Sequence, residues 1–235
     1  MGTTDRPRAA AAARLAACAA LLLVTFSTTA PAQQADSITV TAQVRPHLFG
    51  TVALPGPSGR WGDKWQKVAS DARPCAALQS LVAPARALGR LAQLQFVQAQ
   101  VDRRIGWRSD GTQYNARIYW ASAAETLASG FGDDDDRAIL KYQALRALGY
   151  PRSDYYLMMG RDQVRGDYVM LAARADGRWW LLEEQGDLPV AADRRAGFEP
   201  VASFGAGRSW IHGRPRLASA GALTASGAAP VAARP

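Results

Sequence analysis

The chain has 235 residues, which favours one domain, and it is 48% hydrophobic and 9% aromatic, ordinary values for a globular protein. Its formal net charge of +8 is spread along the length, with arginines alternating with apolar and acidic residues. No recognition motif accompanies that charge, so nucleic-acid binding is set aside in favour of a solvated basic surface.

In chain order, Arg6, Arg8 and Arg14 precede an apolar run from Leu15 to Phe26, and Ala30-Pro31-Ala32 stands before Gln33. This pattern predicts a cleavable export signal over residues 1–32, hence a periplasmic protein with no membrane span once the signal is removed. Leu15 to Cys18 superficially resembles a lipoprotein box, but the apolar core follows the cysteine, so lipidation is rejected. Removal of the signal leaves Cys75 as the sole cysteine, and no internal disulfide can form. Residues 33–47 read as a polar, β-prone lead-in, and residues 48–216 as the folded domain.

Within that domain Trp61 to Ala69 reads as a short helix with Trp61, Trp65 and Val68 toward the core. Arg73-Pro74-Cys75 opens a second helix, with proline suited to its first turn. A cysteine nucleophile needs a basic partner, and only His47 and His212 exist, neither in a motif; Cys75 is read as a small buried apolar residue. Leu88 to Arg104 is a longer helix with Leu91, Leu94, Val97 and Val101 on one face. Ser122 can cap the helix holding Glu125 and Leu127, and Gly130 ends it.

Four aspartates, Asp133 to Asp136, then stand before a helical run in which Ile139, Tyr142, Leu145 and Leu148 share a face; Gly149 and Pro151 stop it. Carboxylates are favoured at the positive end of a helix dipole. Four in succession exceed what a cap requires, and their repulsion would be relieved by a cation, for which clustered carboxylate oxygens suit calcium. After Pro151 the period becomes extended: Tyr155 to Gly160, Tyr168 to Arg174 and Trp179 to Leu182 read as strands, the last two joined by the hairpin signal Ala175-Asp176-Gly177. Residues 217–235 are Ala-, Gly-, Ser- and Pro-rich with few large apolar residues, and disorder is expected there.

The stretch from Gly132 to Gly149, G-D-D-D-D-R-A-I-L-K-Y-Q-A-L-R-A-L-G, resembles the signature G-D-C-E-D-Y-A-x-x-K-Y-x-x-L-x-x-L-G of the bacterial transglutaminase-like cysteine proteinases. These are papain-like proteins that include periplasmic proteases cutting biofilm adhesins. The resemblance extends over most of residues 48–212, through Phe49-Gly50-Thr51, Ile105, Trp107, Asp110, Tyr114, Trp120 and the segment Phe198 to Phe204. It implies an α+β fold, a papain-like/transglutaminase-like core with N-terminal helices packed on an antiparallel sheet. Asp134 takes the place of the family's cysteine, Tyr168 that of its histidine and Glu183 that of its aspartate. Asp167 would enter if the strand were shifted by one residue. Asn115, Ile118 and Arg137 also depart from the family pattern.

Papain-like proteolysis needs a thiolate at a helix start, a facing imidazole and a group that orients it. Only the third role is supplied, by Glu183. A carboxylate is a weak nucleophile toward an amide, and a phenol is a poor base near neutrality. Losing a nucleophile and base that act as a unit removes on the order of a million-fold in rate. The resemblance therefore implies a pseudoenzyme that binds a protein or peptide, such as an adhesin segment or a membrane-bound regulator, or serves an exopolysaccharide system. It also implies calcium at Asp133, Asp135 and Asp136, since the adhesin-cleaving members are calcium-dependent. One alternative keeps catalysis, with Asp134 and Glu183 as a glycosidase carboxylate pair. Another is an exported α+β binding domain unrelated to the family.

Overall fold

Helices dominate the first half of the described residues and strands the second, matching the change of period after Gly149. The computed structural model describes residues 45–57, 59–70, 75–184 and 186–215. The expected export signal, most of the lead-in, Pro74 and the tail from 217 onward lie outside them. No helix of the described residues is long and apolar enough to cross a membrane.

The elements are β1 (Val52–Pro55), α1 (Gly62–Ser70), α2 (Ala76–Val82), α3 (Arg90–Arg104), β2 (Gly106–Trp107), α4 (Asp110–Tyr114), α5 (Ala123–Ser129), β3 (Phe131–Gly132) and α6 (Asp134–Ala147). They continue with β4 (Tyr155–Asp162), β5 (Gly166–Ala175), β6 (Arg178–Leu182), β7 (Val190–Ala191), β8 (Phe198–Gly205) and β9 (Arg208–Gly213). Seven strands form an antiparallel sheet in the order β1-β9-β8-β4-β5-β6-β7, while β2 and β3 make a separate parallel pair. β1, β8 and β9 had no strand signal of their own in the sequence.

Several helix boundaries follow from local chemistry. Ser122 and Glu125 form a reciprocal capping box at the start of α5, and Gly130 closes that helix in the left-handed region at φ 71. Cys75 caps α2, its sulfur accepting from the Leu78 N–H at 3.4 Å; it is half-buried, so it serves the helix start as well as the core. The β5–β6 hairpin turns through Asp176 and Gly177, at φ 51 and 77, the pair of positive values that a type I′ turn requires.

α6 is the centre of the molecule. Its residues from Asp135 to Leu145 are all buried, so the face predicted from Ile139, Tyr142 and Leu145 is only part of its contact surface. Ile139, Leu140, Tyr142 and Leu145 join Leu94, Val97 and Val101 of α3 and Leu157, Leu171 and Phe204 of the sheet in one core. Because strand side chains alternate, the other sheet face builds a second cluster from Tyr156, Met158, Tyr168, Met170, Leu181 and Trp210. Each strand thus sorts its residues between the helix side and the far side, and that sorting decides which candidates can meet.

The core also holds ions. Lys141 is fully buried, with Nζ 2.8 Å from Asp102 Oδ1 and 2.5 Å from the Glu183 carbonyl. Arg137 reaches the same Asp102 oxygen at 3.0 Å, and Gln98 Nε2 donates to Asp102, to the Glu183 carbonyl and to the Gly186 carbonyl. Together these bonds tie the segment after β6 to α3 and α6. Burial pulls the Lys141 ammonium down to about 8, against the pull of Asp102.

Candidate functional site

The four aspartates open α6 where it leaves β3, beside a groove of about 380 Å³. Trp61, Trp107 and Trp120 line the groove, Met159, Val169, Val201 and Ala202 supply its aliphatic part, and Asp110, Asp133, Asp134 and Asp135 stand along it. The register of β4 against β8 shifts between Met159 and Gly160, so Val201 falls between paired residues and is 54% exposed. Gly160 is required at that shift, because a Cβ there would stand 2.3 Å from the Glu199 carbonyl oxygen.

Asp134 is the first residue of α6, and its Oδ1 accepts from the Trp107 indole N–H at 3.3 Å. Its carboxyl is in hydrogen-bond contact with that of Glu184. Burial, and then Asp134, push Glu184 up to about 7. Arg137 holds Glu184 from the core side at 3.5 Å.

Tyr168 lines the same groove as Asp134, and Glu183 is not among the residues that line it. The Tyr168 ring belongs to the far-side cluster, where its hydroxyl accepts from the Glu184 N–H at 2.8 Å, and burial raises its pKa. Asp167, one residue earlier, lines the groove and pairs with Arg161 at 3.6 Å. Glu183 is ion-paired at 2.5 Å with Arg195, whose guanidinium also binds Asp162. Asp167 and Tyr168 therefore both line the groove, whereas Glu183 is engaged by Arg195.

No imidazole compensates. His47 accepts from the Ala53 N–H at 3.1 Å. His212 is clamped between Ser203 Oγ at 2.6 Å and Thr51 Oγ1 at 2.8 Å on β9, toward the opposite end of the sheet from β6. Thr51 donates its own proton to the Leu48 carbonyl, so the His212 Nδ1 carries the hydrogen and Ser203 donates to Nε2.

The remaining aspartates separate into two roles. Asp133 and Asp135 come together with Asp110 from α4, one oxygen from each lying within 4.8 Å of the others. Asp136 does not join them: its Oδ1 accepts from the Ala121 N–H at 2.7 Å, and it packs over Gly132, where a Cβ would stand 2.7 Å from the Asp136 Cβ. Burial raises Asp135 well above its ordinary value and Asp136 to about 7. Asp110 is buried, with Oδ2 accepting from the Tyr119 N–H at 2.6 Å; its Oδ1 and the Oδ1 of Asp133 are buried without a hydrogen-bond partner among the described residues. Orphaned carboxylate oxygens crowded at this distance fit a hard divalent cation such as calcium. The pairing of Asp110 with the later aspartates was not readable from spacing, since 110 lies in a different helix.

Three solved structures share this arrangement of chain, all of Legionella pneumophila LapG. One matches at 24% identity with a TM-score of 0.51, covering 64% of this chain and 85% of LapG. A calcium-bound form matches at 23% identity and a TM-score of 0.51, over 66% of this chain and 92% of LapG. An EGTA-treated form matches at 24% and 0.51, over 67% and 87%. The fold is transglutaminase-like. No family model and no curated protein matches the chain.

Proposed function

We propose that this chain is an exported, calcium-binding homologue of the transglutaminase-like peptidases that has lost catalysis and retains recognition, with a protein or peptide as its ligand. The observation that carries this reading is the neighbourhood of Asp134. At the helix start where the family's thiolate would stand there is a carboxylate, and what faces it is a carboxyl group and an indole N–H. Neither thiol nor imidazole lies in the groove lining, so the group that attacks and the group that moves its proton are both missing.

Asp110, Asp133 and Asp135 would hold the calcium, which would neutralise three crowded charges beside the groove. The existence of a calcium-bound form of LapG supports that choice of ion. The export signal read from residues 1–32 supports a periplasmic setting, where an adhesin segment or the periplasmic face of a membrane-bound regulator are ligands of the right kind. The glycosidase alternative is disfavoured: Glu183 is engaged by Arg195, and Asp134 and Glu184 touch, whereas glycosidase carboxyl pairs stand about 5–9.5 Å apart.

The test has two arms. Recombinant protein lacking residues 1–32 is expected to leave fluorogenic peptide and casein substrates uncut, with or without calcium, and to give calorimetric heat on calcium addition below about 1 mM. Hydrolysis lost on changing Asp134, or no calcium heat in EDTA-stripped protein, would overturn the corresponding half. Affinity capture from the native periplasm, compared between wild type and a variant with Asp133 to Asp136 changed to asparagine, identifies the partner.

A further inference from the structure

Calcium accepts about six to eight oxygen ligands. The chain's own carboxylates fall short of that number at this site, and the reason is visible residue by residue. Asp110 has one oxygen committed to the Tyr119 N–H and only Oδ1 to give. Asp136 has one oxygen on the Ala121 N–H and stands outside the group formed by Asp110, Asp133 and Asp135, and Asp134 is engaged by Trp107 and Glu184. Asp110, Asp133 and Asp135 all line the groove, so the ion they hold sits in its wall.

We infer that a calcium ion bound by Asp110, Asp133 and Asp135 keeps part of its coordination shell open to the groove and there receives a side-chain carboxylate of an extended peptide. This rests on the calcium reading proposed above and adds what the ion is for: it is a contact point for the ligand. The class of ligand follows from the rest of the lining. Arg117 is exposed on the same groove with no ion pair among the described residues, which suits an acidic ligand. Met159, Val169 and the outward-turned Val201 offer aliphatic surface, which suits peptide side chains better than sugar hydroxyls.

Europium(III) in place of calcium tests this directly, because its luminescence lifetimes in H₂O and D₂O count the waters on the bound ion. The expected count on the intact protein is about three or more. Millimolar N-acetyl-Val-Glu-Val-amide is expected to lower it by about one to two, as a carboxylate occupies one or two positions, while the glutamine counterpart leaves it unchanged. Arg117→Ala, an exposed change, is expected to weaken the peptide's effect several-fold with the water count in its absence unaltered. A closed shell of zero or one water would overturn this inference and leave calcium binding standing. Equal displacement by the glutamine peptide, or displacement by a galacturonate oligomer and not by the glutamate peptide, would overturn it as well. Absence of any europium or calcium binding would remove both this inference and the calcium reading beneath it.

Discussion

Asp134 and Glu184 meet carboxyl to carboxyl at the head of the central helix, with Arg137 behind one and the Trp107 indole beside the other. Burial, and then the Asp134 carboxyl, favour the protonated form of Glu184, and that preference has a measurable sign.

Glu184 has its pKa raised from 4.5 to about 7, chiefly by burial and then by Asp134. A raised carboxyl favours the folded state while protonated, so its contribution is complete below about pH 4.5 and is lost as pH climbs toward 7. Glu184→Gln is therefore expected to stabilise the protein at pH 8 and to be neutral at pH 4.5. With allowance for screening of this partly exposed group, the gain at pH 8 is about 1 kcal/mol, read from urea unfolding at both pH values.

In metal-free protein, Asp136, at about 7, and Asp135, raised well above its usual range, act in the same direction: stability falls as pH rises from about 4 to 7. Calcium competes with the protons around this cluster. The thermal shift produced by calcium is thus expected to be several degrees larger at pH 8 than at pH 5.5, in scans against an EDTA control. A shift independent of pH would mean the ion binds elsewhere.

Asp102 is the shared anion of Arg137 and Lys141. Asp102→Ala strands two buried cations and is expected to cost about 3–5 kcal/mol, enough to unfold many domains. Lys141→Met, which removes the buried charge and keeps the volume, should cost distinctly less than Asp102→Ala when both are measured by chemical denaturation at pH 7.

His212 is held neutral, its pKa lowered to about 4 by burial and then by His47. A depressed histidine stabilises the fold above its unfolded value near 6.5, and that contribution is lost as pH falls through 6.5 toward 4. Nuclear magnetic resonance titration is expected to find the His212 ring neutral at pH 5.5, with the Nδ1–H tautomer. The Ser203→Ala change should raise its titration midpoint by removing a donor that the neutral ring accepts.

The central helix, its stop at Gly149, the α5 cap and the β5–β6 hairpin were readable because each rests on local chemistry within a few residues. The site was half readable. Tyr168 and Glu183 were placed by pattern alone; Tyr168 lines the groove with Asp134, while the bridge from Glu183 through Arg195 to Asp162 depends on residues distant in sequence. Asp110 could not be grouped with Asp133 and Asp135 from spacing, because α4 and α6 are joined only by the folded path between them. The same holds for Asp102, whose role depends on Lys141 and Arg137 arriving from α6. β1, β8 and β9 were missed because Pro55, Pro200 and the polar residues of β9 weaken the alternation that marks a strand.

α6 is fastened along its length by Lys141, Gln143 and the apolar residues that follow, all of them below its first turn. In the turn that faces the groove, Asp136 and Arg137 are committed to the Ala121 N–H and to Asp102, whereas the Asp134 side chain at the tip takes no part in the apolar core. The group at the tip of this helix can therefore be exchanged while its shaft stays put.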